Sequence, residues 1–365
     1  MKRPQFDTHK HKVFSFITAG LLVFGTMDCF GMALTGDDQG PRIVPTYECA
    51  GIYWKIEEKG VCKLRYRENS ESQWKEGLDL VYDTRDGEYR GSVIGLTPNT
   101  AYQVELSVNS SGSRSEFITR NDQFPVGIIT LLPEGESDSP VLITESGTPD
   151  AYHLVTVPAG TKSVLNLENV HDYGIEIDAD FVIIRGVEIR NPAVHGILIR
   201  KNRHDVVIEH CHITYWGRIG GPKTYGNLEG ASDSGIFGES RTGNLTIQRN
   251  LIEDPRGASN DWESGHPDGP QGITIIESAG GNVIRYNEIV SSEDHGFNDG
   301  IGGSSNFSFT GNLNRDSDIY GNIIRNVWDD AIESEGGNMN VRIWGNYMHH
   351  FYNAIATAST SKGPL

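Results

Sequence analysis

The sequence predicts an all-β chain: a right-handed parallel β-helix (a solenoid) preceded by a small antiparallel β-sandwich. Three observations lead there. Glycine supplies 43 of 365 residues, about 12% against a usual ~7%, and long Leu/Ala/Lys runs are few, which argues against a helical protein. Apolar and polar residues alternate between positions 41 and 123, the period of half-buried strands. From position 126 onward an isoleucine pattern repeats, and its register survives insertions.

In chain order, Lys2, Arg3, Lys10 and Lys12 form a basic leader. An apolar run follows over residues 13–27, and Gly31-Met32-Ala33 offers a small-x-small cleavage site. Residues 1–33 therefore read as a signal peptide, and secretion to an extracellular or periplasmic compartment is expected. An uncleaved anchor is the weaker alternative, and a lipid anchor on Cys29 is disfavoured because Asp28 is a poor residue just before a lipidated cysteine. The apolar run is short for a membrane span and no later stretch reaches its length, so the mature protein is expected to have none.

Without residues 1–33 the chain keeps 27 Lys/Arg and 47 Asp/Glu, a net charge of −20. Such a surface repels nucleic acid and anionic membrane, so neither is expected as a partner. Three cysteines remain. Cys49 and Cys62 are able to pair in an oxidising compartment, whereas Cys211 sits in a strand pattern as a buried thiol.

Between residues 41 and 123, Ile52, Trp54 and Ile56 alternate with polar neighbours, as do Leu64 and Tyr66. Gly95-Leu96-Thr97-Pro98-Asn99-Thr100-Ala101-Tyr102 then precedes the alternating Val104, Leu106 and Val108. A Leu-x-Pro-x-Thr-x-Tyr run just before a strand resembles the tyrosine corner of fibronectin type III domains. That resemblance covers about 80 residues and implies a spacer, a docking surface or a sugar-binding appendage.

Residues 126–365 carry the repeat. Six segments align on Ile-x-x-(Asn)-x-Ile, beginning at Ile184, Ile208, Ile247, Ile284, Ile319 and Ile343. A second strand, marked Gly-Ile or Ala-Ile, recurs at Ile197, Ile236, Ile273, Ile301, Ile332 and Ile355. From that second isoleucine to the next first one the spacing is 11 residues in four cases and 18 from Ile301 to Ile319. Length varies instead on the way to the Gly-Ile strand: 8, 23, 21, 12 and 8 residues. Short strands with one fixed turn describe a coil whose rungs stack about 4.8 Å apart with isoleucines inward. Asn250, Asn287, Asn322 and Asn346 recur at one corner, where asparagine tolerates a left-handed backbone and stacks amide on amide. Residues 354–365 begin a further rung, so the coil is expected to continue and the full-length protein to be a monomer.

The insertions 214–234, 253–271, 290–299 and 302–317 emerge along one edge and carry Trp216, Tyr225, Trp262, His266, His295 and Arg315. Long loops on a rigid scaffold usually build binding surface, and an elongated groove suits an extended polymer. Two positions before the Gly-Ile isoleucine the column reads His195, Ser234, Gln271, Asp299, Asp330 and Asn353. Asp299 and Asp330 should therefore be neighbours on adjacent rungs, with Asp329, Glu333 and Glu335 close by. Five acids so near one another need relief. Either a cation such as Ca²⁺ is held by Asp299, Asp329, Asp330 and Glu335, or a carboxyl is raised in pKa and acts as an acid, or Arg315, Arg325 and Arg342 neutralise the cluster. Asp299, Asp330 and Glu333, with His266, His295 and Arg315, are the candidate catalytic groups. Trp216, Trp262, Tyr320, Trp328, Trp344 and Arg342 are the candidate substrate-binding ones. No organic cofactor is expected.

The segments 316–322, 329–337 and 340–346 are similar to the pectate-lyase-like superfamily of right-handed β-helices, over roughly 240 residues. The resemblance implies action on polysaccharides, by Ca²⁺-assisted β-elimination or by hydrolysis with paired carboxylates. The Asp-Pro-His-Glu run of alginate epimerases, the Asn-Thr-Asp and Gly-His-Gly signatures of polygalacturonases and the Arg-x-x-Pro-x-x-Arg stretch of pectate lyases are not in the sequence. The expected function is cleavage of an extended glycan, as lyase or hydrolase; the alternative is a non-catalytic, glycan-binding or adhesin-like solenoid.

Overall fold

A computed structural model describes residues 40–219, 232–303 and 309–357. The expected signal peptide, Cys29, Tyr225 and the middles of two insertions lie outside the described residues. No helix among those described is long and apolar enough to cross a membrane.

The first part is a two-sheet antiparallel sandwich. One sheet orders Arg42–Pro45, Cys49–Lys55, Glu88–Ile94 and Val81–Asp83; the other orders Lys75–Glu76, Lys63–Glu68, Ala101–Val108 and Ser111–Ile118. Ile52, Trp54, Leu64, Tyr89, Val104 and Leu106 fill the space between them. The Tyr102 hydroxyl accepts from the Thr97 amide at 2.9 Å, which closes the corner before its strand. Alternation breaks in Cys49–Lys55, where six consecutive residues are buried. One face of that strand lines the sandwich core and the other is covered by the coil, where Tyr53 donates to Asp316 at 2.9 Å. Cys49, Cys62 and Cys211 are all buried free thiols, so Cys49 and Cys62 do not pair.

The second part is a parallel β-helix of three strand stacks. Eight strands from Val126–Leu131 to Arg342–Trp344 form the first stack, with Ile184, Ile208, Ile247, Ile284, Ile319 and Ile343 in register. Ile189, Ile213, Ile252, Ile289 and Ile324 align in the second. Ile175, Ile197, Ile236, Ile273, Ile301, Ile332 and Ile355 align in the third. Nearly all of these isoleucines belong to one continuous apolar core. The second and third stacks join into one sheet of 14 strands because Ile323–Glu333 runs through both without a turn.

Two columns set the rung geometry. Glycine precedes the third-stack isoleucine at 174, 196, 235, 272 and 300, and a Cβ at any of them would press on the carbonyl oxygen of the next rung. Only glycine lets those backbones approach. At the corner between the first and second stacks, each amide Nδ2 of Asn250, Asn287 and Asn322 donates to the Oδ1 of the next asparagine at 2.9–3.0 Å. The expected ladder is there, but the left-handed residue is the one before it: His210, Arg249, Tyr286, Gly321 and Gly345 have φ of 55–66°. The asparagines themselves turn inward, and their amides also satisfy first-stack carbonyls such as Ile247 O.

The sandwich is seated on the first stack. Arg285, 1% exposed, donates to Glu48 and Asp122 of the sandwich at 3.1 Å each and to Gln248 at 2.8 Å. Tyr47 bonds Thr246 at 2.8 Å. Tyr320 is buried there, stacked on Trp344 at 4.5 Å.

Candidate active site

The third stack places the polar column that the repeat predicts. His195 lies beside Tyr173, Gln271 beside Ser234 and Asn353 beside Asp330. Asp299 and Asp330 occupy adjacent rungs, with Gly300 N donating to Asp330 O at 3.1 Å and Asp330 N donating to Asp299 Oδ1 at 3.2 Å. The glycine column is what makes this approach possible: Asp299 is followed by Gly300, and Asp330 by the small Ala331.

One oxygen from each of Asp299, Asp329 and Asp330 lies within 4.8 Å of the others. These three, with Glu333 and Glu335, are 4–8% exposed. The donors to Asp299, Asp329, Asp330 and Glu333 are uncharged. Gln271 Nε2 and Asn298 Nδ2 donate to Asp299 Oδ2 at 2.8 and 2.9 Å. Asn353 donates to Asp330 at 2.9 Å, Trp262 Nε1 to Asp329 at 3.1 Å and the Gly303 amide to Glu333 at 2.9 Å. Among the described residues, no lysine or arginine pairs with Asp299, Asp329, Asp330 or Glu333.

Electrostatics follow from that isolation. Burial, reinforced by Glu333, Asp329 and Asp330, pushes Asp299 well above the usual carboxylate range. Burial lifts Asp329 as well, against the pull of His266. It lifts Asp330 to about 6 and Glu333 to about 7, the latter helped by Glu335. The site is thus able to retain protons near neutrality or to take up a cation. Three convergent carboxylate oxygens, with Glu335 near Glu333, are a hard-oxygen donor set that fits Ca²⁺.

Of the predicted loop groups, Trp262 and His266 reach the cluster. His266 Nε2 stands 3.8 Å from Asp329 Oδ2, and the Trp262 ring lies 4.7 Å from His266 and 5.1 Å from Tyr352. Other placements differ from the expectation. His295 donates to Pro255 O at 2.7 Å and packs edge-on against Tyr215. Trp216 is fully buried and stacks on Phe297 in the coil core, where no substrate reaches it. Trp328 is half-buried with its indole against Gly296.

None of the three arginines neutralises the acids. Arg342 donates to Asp318 at 2.6 Å and lies 3.5 Å from Asp316, on the first stack with Tyr320 and Trp344 beneath the sandwich. These three are interface residues rather than groove residues. Arg315 is exposed at the turn into the first stack, where its carbonyl accepts from Gly281. Arg325 aligns with Val290 and His349 in the second stack. Their sequence proximity to the acids misleads because one rung carries them around to another face.

Gln271 and Asn353 stood in the predicted column without a role, and register alone identifies them as carboxylate donors. Asn298, the Gly303 amide and Tyr352 went unnoticed. Asn298 adjoins Asp299 in sequence, Gly303 directly follows the strand Ile301–Gly302 that pairs with the Glu333 rung, and Tyr352, in the strand Tyr347–Ala356, meets Trp262 through the path of the 253–271 insertion.

No family model matches the chain, and no curated protein matches it in sequence. Among solved structures it is similar to the pectate lyase Pel9A, at 10% identity and a TM-score of 0.36, over 68% of this chain and 74% of that one. It is also similar to an alginate lyase from Paenibacillus sp. str. FPU-7, at 12% identity and a TM-score of 0.34, over 66% of this chain and 93% of that one. The coil assignment rests on this chain's own strand registers.

Proposed function

We propose that this is a secreted enzyme that cleaves an extended polysaccharide lying across the outward face of the third stack, by hydrolysis with paired carboxyl groups. The observation that carries the reading is the stacking of Asp299 on Asp330 beside Asp329, buried and held by neutral donors. One carboxyl of the pair protonates the leaving oxygen, and the other attacks the anomeric carbon or activates water. Direct attack by the second carboxyl would give retention of configuration and activation of a water would give inversion, which the anomer of the first product distinguishes. The raised carboxyls of Asp330 and Glu333 suit the proton donor, and Trp262 offers an aromatic edge for a sugar ring.

Convergence of three oxygens supports a second reading, cation-assisted β-elimination. Asp299, Asp329 and Asp330 would hold Ca²⁺, which when bound neutralises a uronate carboxylate. His266 is then the candidate to take the α-proton. Incubation with a polysaccharide panel, with and without EDTA, separates the readings. New reducing ends without ultraviolet absorbance support hydrolysis; EDTA-sensitive unsaturated products support elimination. Binding without either product leaves a glycan-binding solenoid.

A further inference from the structure

We infer that the outer face of the sandwich's Lys63–Glu68 sheet is a second binding site, for a carboxylated glycan, centred on Arg67 and Trp74. The face is built around one indole. The guanidinium carbons of Arg65, Arg67 and Arg114 lie 4.9, 4.6 and 5.2 Å from the centroid of the Trp74 ring, within cation–π range. Glu105 pins two of them: it accepts from Arg65 at 2.8 Å and from Arg114 at 2.5 and 3.1 Å. Arg67 is held differently. Its Nε and Nη2 donate to Gln103 Oε1 at 3.0 and 2.8 Å and its Nη1 to Ser72 O at 3.2 Å. Both acceptors are uncharged, so Arg67 keeps its full charge in a fixed geometry, and little side-chain entropy is left to lose on binding.

Beside this cluster lies an open depression of about 330 Å³, lined by Lys63, Leu64, Arg65, Glu76, Glu105 and Ser107. That volume is at the low end of the ~300–1,000 Å³ of small-ligand sites. The chemistry of the lining selects the ligand. Lys63, although paired with Asp79 at 2.8 Å, lies in the lining, and Arg67 beside it is the guanidinium of the cluster held by uncharged acceptors; both favour an anion on a chain whose net charge of −18 repels anions elsewhere. Glu76 is exposed and open to hydroxyl donors, whereas both oxygens of Glu105 already accept from Arg65 and Arg114. A uronate sugar supplies a carboxylate for Arg67 and hydroxyl donors for Glu76, whereas a phosphodiester backbone offers acceptors alone. This site is separate from the carboxylate groove and does not depend on what the groove does.

The test is calorimetric titration of the full chain, and of its Asp330→Asn variant to prevent turnover, with an oligogalacturonate, a neutral cello-oligosaccharide and polyphosphate. Oligogalacturonate is expected to bind in a salt-sensitive manner. Arg67→Gln should weaken that binding about tenfold, the loss of one charge-assisted pair, and Trp74→Ala should weaken it also. Arg67→Gln is a half-exposed substitution whose fold is checked by an unchanged melting curve. The inference is overturned if Arg67→Gln titrates like the parent chain, or if polyphosphate binds as tightly as the uronate.

Discussion

Asn353 donates its side-chain amide to Asp330, a carboxyl that burial has lifted to about 6. Asp330 and Glu333, the latter at about 7, bind protons in the folded chain that an unfolded chain with ordinary carboxyls near pH 4 has released. Their contribution to stability is therefore full below about pH 4 and is lost as pH rises through about 6 to 7. Thermal melting should fall by several degrees between pH 5 and pH 8, and Asp330→Asn with Glu333→Gln should flatten that slope. Calcium should raise the melting temperature more at pH 8 than at pH 5, since it binds the deprotonated oxygens; equal effects at both pH values would argue against a carboxylate cation site. If the cluster hydrolyses, Asp299→Asn and Asp330→Asn should each lower the rate by ~10²–10⁴-fold, the usual worth of an acid–base group, with the circular dichroism spectrum unchanged. The carboxyl pair was legible in the sequence because both residues sit two positions before a repeated isoleucine. The arginines were not, because nearness along the chain says nothing about which side of a rung a residue faces.

At the scale of strands and corners, repetition carries most of the information. The isoleucine columns and the asparagine ladder were readable because each is one contact made many times. The left-handed position was misplaced by one residue because Asn and the residue before it share a corner and only the backbone separates them. Asn287→Ala removes amide bonds to Asn322 and Ile247 O and leaves buried partners unsatisfied, at a cost of about 2–3 kcal/mol, measurable by urea denaturation. Gly272→Val puts a branched side chain against the Gly300 carbonyl. It should destabilise the chain and weaken any activity together, since the Asp299 rung can no longer close on its neighbour. A variant that melts normally would show that the glycine column is not needed for spacing.

For the whole molecule, the sandwich, expected as a spacer, a docking surface or a sugar-binding appendage, is clamped to the first stack. Glu48, Asp122 and Tyr47 look like ordinary surface residues, and their partners Arg285 and Thr246 lie roughly 160–240 positions away. No local pattern announces a contact across that distance. A clamp built on a buried arginine between two carboxylates should make sandwich and coil melt together. Calorimetry is expected to show one transition, and Arg285→Ala, which strands both acids, should cost about 3–5 kcal/mol and split or broaden it.

The position two residues before each third-stack isoleucine also has a bearing on how such a molecule diversifies. It is an address that recurs on every turn of the coil, filled here by imidazole, hydroxyl, amide and carboxyl in succession. Replacing Gln271 with an acid would lengthen the carboxylate row by one step of about 4.8 Å, and replacing Asp299 would shorten it. New reactivity is then reached by single side-chain exchanges along a fixed ruler, with the winding of the backbone left as it was.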